Sequence, residues 1–295
     1  MKKNISISIG IPAYNEQANI KNLLNSFLRQ KVAGYVLSEI IIISDGSTDR
    51  TVESAKEIKD SRIKIVDGDQ RVGKSERINQ IFSMFKGDIL ILADADITIA
   101  DMSILSYIAG QNDIHKSGIF GINARPGTAG SFFQKVINSG FLAFDDIANK
   151  WMNGQNYLRF KGCFLVLDKK FAREQRIPGS AVNNDAYLYF AALEKKYCPR
   201  YLKKVVVYFK SPKDIADHLG QSSRFKISKD EMQKYFKFNL EHEYHIPITT
   251  AIRATLKHIF INPVYFLSYI LINIYTSLTK NKHVSSLWSV AVSTK

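Results

Sequence analysis

The sequence predicts an α/β fold with a mostly parallel central sheet. Three observations carry this. Short Ile-rich runs recur through the first hundred residues. Helical patterns separate them, and each run ends in a polar stretch bearing carboxylates. Runs this apolar suit strands buried on both faces. Strand–helix–strand alternation implies right-handed crossovers and ligands at the carboxyl ends of the strands.

The elements follow in order. SISIGI (6–11), EIIIIS (39–44), RIKIV (62–66) and DILILA (88–93) are the strands, and helices lie near 17–31, 48–59 and 74–86. Further on, GIFGINAR, LRFKGCFLVL and KKVVVYFK predict strands, and FFQKVINSGFLAFDDIANK and NNDAYLYFAALEKK predict helices. The residues after the first four strands are IPAYNE (11–16), SDGSTD (44–49), GDQRVGKS (68–75) and ADAD (93–96).

Length and composition frame the reading. A chain of 295 residues with 45% hydrophobic content has a sizeable core and is not disordered. Cys163 and Cys198 lie far apart without metal-ligand spacing, which predicts buried thiols in a reducing compartment. The start, MKKNISISIGIP, has no apolar run or cleavage site of a signal peptide and predicts a direct entry into a strand. The net charge of +14 is uneven: residues 195–295 hold 17 Lys and Arg against 6 Asp and Glu. Such a basic third suits an anionic partner, and the apolar segment within it favours a membrane surface over nucleic acid.

GDQRVGKS fits G-x-x-x-x-G-K-[ST], the phosphate-cradling loop of nucleotide hydrolases, and sits between a strand and a helix as that loop does. Two features oppose that reading. The loop follows the third strand rather than opening the domain, and Asp94 belongs simply to the next strand. The other carboxylate-rich strand ends would also go unexplained.

IPAYNE, DGSTD, R-x-G-K with a following Asn, and D-x-D arrive in that order, and the ordered set resembles the family 2 glycosyltransferases with their GT-A nucleotide-sugar fold. The resemblance covers roughly residues 5–225. It implies a catalytic domain over 1–225 and leaves 226–295 as a basic amphipathic and apolar helical membrane-association region. In the R-x-G-K-x-x-x-x-N element, here Arg71, Gly73, Lys74 and Asn79, the Lys and Arg line the donor pocket or fix its loops. LRFKGCFLVL resembles the family's acceptor-side strand, with Gly162. NNDAYL resembles the E-D-x-x-L element, whose general base is Asp185 here. QSSRF resembles Q-x-x-R-W, here Gln221, Arg224 and Phe225. Asn184 replaces the acidic residue before the base, and Phe225 replaces the Trp and loses the indole donor. Both departures point away from processive polymer synthesis.

The resemblance implies transfer of a sugar from a nucleotide diphosphate donor, UDP- ahead of GDP-, to a lipid-linked or saccharide acceptor with inversion. Asp45 takes the base ring, flanked by Pro12, Tyr14 and Glu16. The plainer use of D-G-S-T-D is a turn and helix cap. Asp94 and Asp96 project to one side of an extended segment. Two carboxylates so close repel unless a cation lies near. Mn²⁺ or Mg²⁺ bridging to phosphates meets that need, with Asp96 as direct ligand and Asp94 nearer the ribose or metal. Asp185 takes the acceptor proton, and Arg224 offsets pyrophosphate charge or is merely a surface Arg on a basic helix. His218, His242, His245 and His258 show no zinc spacing and are surface or packing residues.

Residues 259–279 contain no charge, and as one helix they would measure about 30 Å. Lys257 and Lys280 bracket them. Asn262, Asn273, Thr276 and Ser277 gather on one face, which suits a tilted interfacial helix, a partner-packed helix or a buried one. Met232, Tyr235, Phe236 and Leu240 recur at helical spacing among lysines, as in a basic surface anchor. The terminal VSSLWSVAVSTK is too short for a second full span. Membrane association with the catalytic domain facing the cytoplasm is the expectation. Two other classes stay open: a nucleotide hydrolase using 68–75, and a non-catalytic binding protein that keeps the fold.

Overall fold

In a computed structural model, residues 4–279 are described; Lys280 and VSSLWSVAVSTK lie outside them. Seven strands form one sheet: β1 (Ile5–Ala13), β2 (Tyr35–Ser44), β3 (Ile63–Asp67), β4 (Ile89–Ala93), β5 (Ile119–Pro126), β6 (Phe164–Asp168) and β7 (Arg200–Phe209). The order is β3-β2-β1-β4-β6-β5-β7. Only β6 runs against its neighbours, β4 and β5; the other pairings are parallel.

The helices are α1 (Ile20–Leu28), α2 (Thr51–Lys56), α3 (Lys74–Met84), α4 (Ile104–Ala109), α5 (Ile114–Ser117) and α6 (Phe132–Lys150). They continue as α7 (Lys169–Arg173), α8 (Asn184–Glu194), α9 (Ile215–Tyr235), α10 (Glu241–Tyr244), α11 (Ile248–Ile261) and α12 (Pro263–Leu278).

The strands alternate their side chains between two cores, as the pleat requires. Ile40, Ile42, Ile89 and Ile91 face the side of α1 and α4, whereas Ile41, Ile43, Leu90 and Leu92 face that of α3 and α8. Gly10 on β1 lets α3 come close: a Cβ there would fall 2.5 Å from Ile81 Cγ2.

Three expectations are corrected. Cys198 is exposed rather than buried. Met232, Phe236 and Leu240 are buried in the core around Phe190, with Tyr235 packed beside them, so this stretch packs onto the sheet's core instead of forming a surface stripe. α9 itself runs unbroken through residue 225. Finally, 259–279 is not one rod. Pro263 lacks an N–H and forces its predecessor out of helical geometry, so Asn262 (φ −145°, ψ 69°) separates α11 from α12. Among the described residues, no helix is long and apolar enough to cross a membrane.

α11 and α12 instead pack on α6 through a third core of Val136, Ile137, Ala143, Phe266 and Tyr269. Asp146 on α6 accepts hydrogen bonds from Lys257 (2.6 Å) and His258 (2.7 Å).

Candidate active site

The carboxyl ends of β1, β2, β3 and β4 converge as the parallel topology requires. At the end of β2, Asp45 is wholly buried. Its carboxylate accepts from the N–H of Val72 (2.8 Å) and Gly73 (3.1 Å) and from Arg77 Nε (2.9 Å). The protein's own donors thus occupy the Asp45 carboxylate, which fastens the 70–73 loop instead of pointing at open space. Gly46 (φ 66°) lets the two loops touch, since a Cβ would lie 2.8 Å from the Gln70 carbonyl carbon.

That loop presents Arg71, whose guanidinium lies 3.9 Å from the centroid of the Tyr14 ring. Pro12 ends β1 in the interior, and Glu16 is buried beneath, accepting from Asn19 Nδ2 at 2.6 Å. Lys210, from the end of β7, donates to Asn19 Oδ1 at 2.5 Å, which joins the last strand to this cluster.

At the end of β4, Asp94 pairs with Lys74, Nζ to Oδ1, at 2.5 Å. The same ammonium donates to the Gly162 carbonyl at 3.2 Å. The N–H of Gly162 in turn donates to Asp185 Oδ2 at 2.9 Å, and Ala186 N–H donates to Oδ1 at 2.9 Å. Gly162, just before β6, therefore links the D-x-D end to the first turn of α8. The absence of a side chain matters there, because a Cβ would sit 3.3 Å from Asp185 Oδ2 and 3.4 Å from Asn184 Oδ1.

The electrostatics follow from burial. Burial pushes the Asp185 carboxyl above the usual carboxylate range, against the pull of its N–H donors and of Lys74. Asp96 is pushed up to about 6 by burial and by the charge of Asp94. Lys74 pairs with Asp94, and at Asp96 the charges of Lys74 and Lys210 only partly offset burial and the charge of Asp94. A divalent cation fits that need. Among the described residues, no three or more His, Cys, Asp or Glu side chains gather as a cage.

α9 frames the other side. Burial opposes the charge of Arg224, while Asp185 and Asp94 favour it. Gln221 is half-buried one turn earlier, and Phe225 is 65% exposed, aromatic but without partners from the core.

Sequence reasoning missed the supports. Arg77 lies within GKSERIN yet is the buried partner of Asp45. Asn79 exchanges two hydrogen bonds of 2.8 Å with the backbone of Ile177. Glu231 on α9 holds the loop before α8 through Val182 N–H (2.7 Å) and Asn183 N–H (3.1 Å). A reciprocal side chain–backbone pair has no spacing that would announce it.

The phosphate-cradle reading of 68–75 fails on the same contacts. The N–H groups of Val72 and Gly73 are bound to Asp45, the Ser75 hydroxyl donates to Ala181 O at 3.0 Å, and Lys74 is committed to Asp94 and Gly162.

Residues 8–173 match the model of the glycosyl transferase family 2. The chain is 29% identical over 146 residues to the putative glycosyltransferase CsbB of Bacillus subtilis, 49% of this chain and 43% of that protein. It is 27% identical over 150 residues to the dolichol-phosphate mannosyltransferase of Pyrococcus furiosus, 49% of this chain and 41% of that one. The matched segments span less than half the length of these relatives. Among solved structures, a mannosyltransferase from Pyrobaculum calidifontis in complex with GDP-Man and Mn²⁺ superposes with a TM-score of 0.63 at 15% identity, over 95% of this chain and 77% of that one. Glucosyl-3-phosphoglycerate synthase from Mycobacterium tuberculosis, in complex with Mn²⁺, UDP and phosphoglyceric acid, gives 0.54 at 16%, over 76% and 77%. At these identities the likeness is one of fold, the GT-A-like α/β sheet.

Proposed function

The chain belongs to glycosyl transferase family 2, and on that premise we propose that it transfers a sugar from a nucleoside diphosphate donor to a hydroxyl of a lipid-linked or saccharide acceptor, with inversion. One observation carries the reading: Lys74 and Asp185 reach the two polar groups of Gly162, so a cation beside the D-x-D and a buried base share one wall.

Arg71 and Tyr14 form a flat cationic–aromatic face suited to a nucleobase. Asp45 and Arg77 keep that face in place. Asp96 would hold a divalent cation, Mn²⁺ or Mg²⁺, with Asp94 beside it, and when bound that ion offsets negative charge on the diphosphate. Lys74 adds a fixed positive charge on the same side, and Arg224 lies where it offsets charge on the departing group.

Asp185 removes the proton of the acceptor hydroxyl as the oxygen forms its bond to the anomeric carbon, and the bond to the diphosphate breaks on the opposite face. Its raised carboxyl makes it a stronger base than an exposed aspartate, and the N–H groups of Gly162 and Ala186 keep it aimed. A base here serves a hydroxyl; an ionised phosphate would need none and would be repelled by it. By their titles the two solved structures hold GDP-Man and UDP, which supports a nucleoside diphosphate donor, and one relative is named for transfer to dolichol phosphate, a lipid-linked acceptor.

The test is incubation with UDP- and GDP-sugars, Mn²⁺ and panels of hydroxyl and phosphate acceptors, reading nucleoside diphosphate release and the product anomer. Release coupled to an inverted product is expected. A retained anomer, or release with phosphate acceptors alone, contradicts the reading.

A further inference from the structure

α12 is built inside out for a helix on a protein surface. Val264, Leu267, Leu271, Ile274 and Leu278 recur at three- and four-residue spacing, and all of them point outward, Leu278 at 77% exposure. Thr276 turns inward and is buried, and its carbonyl accepts from Lys226 on α9 at 2.6 Å. α11 repeats the arrangement: Ile248, Ile252, Leu256 and Phe260 form an outward stripe, with Phe260 at 85% exposure, while Ala254 and His258 face α6. Phe132, exposed at the start of α6, extends the surface against Tyr265 at 5.5 Å. Two consecutive helices thus each expose an apolar stripe, far beyond the scattered apolar residues of an ordinary surface.

We infer that the outward faces of α11 and α12 are a docking surface for the anionic face of a lipid bilayer, with both helices lying in its plane. Charge selects this occupant over a second copy of the chain. Residues 244–279 contain no Asp or Glu, Arg253 is exposed next to Ile252 on α11, and Lys135 lies over the Tyr265 ring at 5.9 Å, while Lys257 is already paired with Asp146 of α6. Two copies meeting face to face would bring these cations together, whereas acidic headgroups complement them. Dimensions agree. α12 has 16 residues, about 24 Å at 1.5 Å per residue, too short to cross the hydrocarbon core but well suited to its boundary.

The placement also concerns the site. α9 carries Gln221 and Arg224, and its Lys226 is the residue that grips α12. Phe225, next to Arg224 on the same helix, is exposed. A surface seated this way presents an acceptor carried by a lipid to the base without removing the lipid from its leaflet.

The experiment is co-sedimentation of the full chain with vesicles of phosphatidylcholine alone and with 30% phosphatidylglycerol, alongside light scattering without lipid. The wild type is expected to sediment with the anionic vesicles, and Phe260→Glu/Leu271→Glu, both at exposed positions, to lose at least tenfold in partitioning. Circular dichroism and sugar-nucleotide binding should be unchanged in that variant. Donor binding is a separate readout, so absence of donor binding would overturn the proposed reaction and leave docking standing. A wild type that stays in the supernatant with both vesicles, a double variant that sediments like the wild type, or a dimer that the double variant dissociates would each overturn the inference.

Discussion

Lys74 Nζ lies 2.5 Å from Asp94 Oδ1, tying the loop after β3 to the end of β4. A lysine that closes a glycine-rich loop and starts a helix suggests a γ-phosphate clamp, but this one is bound to a carboxylate and to the Gly162 carbonyl. Its positive charge therefore faces the same space as the D-x-D. Lys74→Ala should weaken sugar-nucleotide binding by roughly ten- to a hundredfold, the scale of a charge-assisted hydrogen bond. Calorimetric titration of the variant measures this, and hydrolysis of ATP or GTP by the wild type should be absent in the same preparation.

Asp185 predicts opposite effects on rate and stability. Transfer needs the carboxylate, so the rate should fall as pH drops through an acid limb lying above the ordinary Asp value of about 3.9. Stability runs the other way. The folded-state value is raised, so the stabilising protonated form is complete below the unfolded value and lost as pH rises through the folded one. Asp185→Asn should then melt higher than the wild type at pH 7, with the difference fading below about pH 4. Thermal melts across pH settle the sign.

Asp45 and Arg77 form a buried ion pair at 2.9 Å under the donor-side loop. Removing one partner strands a charge, so Arg77→Ala should cost about 3–5 kcal/mol. Urea unfolding gives the number.

Gly140 on α6 accommodates Tyr269 of α12: a Cβ there would lie 2.2 Å from the ring. Gly140→Ala should displace α12, cost about 1–3 kcal/mol as overpacking, and raise protease cleavage within 248–278. Donor binding should persist, because the parallel strand ends do not use this contact.

Much of this was legible beforehand. The Ile runs of β1, β2 and β4 are period-independent signals of doubly buried strands, and 132–150 reads as the helix it is. The residues at the strand ends could be placed because a parallel sheet puts them at one edge. The supports could not. Arg77, Asn79 and Glu231 act through partners 32, 98 and 49 residues away. Asp45 could be placed at the end of β2, but its enclosure depends on the Gly46 turn meeting Gln70. The direction of the C-terminal segment could not be read, because hydropathy registers apolarity and not which way it faces. The apolar residues Met232, Phe236 and Leu240 turn inward, whereas in 248–278 one set, with Phe266 and Tyr269, turns toward α6 and another, with Phe260 and Leu271, turns outward.

The pairing of donor binding with transfer in Asp185→Asn tests the central claim most directly. Sugar-nucleotide affinity in the presence of Mn²⁺ should stay within about twofold of the wild type, because the side chain binds the N–H of Gly162 and Lys74 binds its carbonyl, while transfer should fall by roughly 10²–10⁴-fold, the usual contribution of a general base. Undiminished transfer, or loss of donor binding to the same extent as transfer, would contradict the assignment.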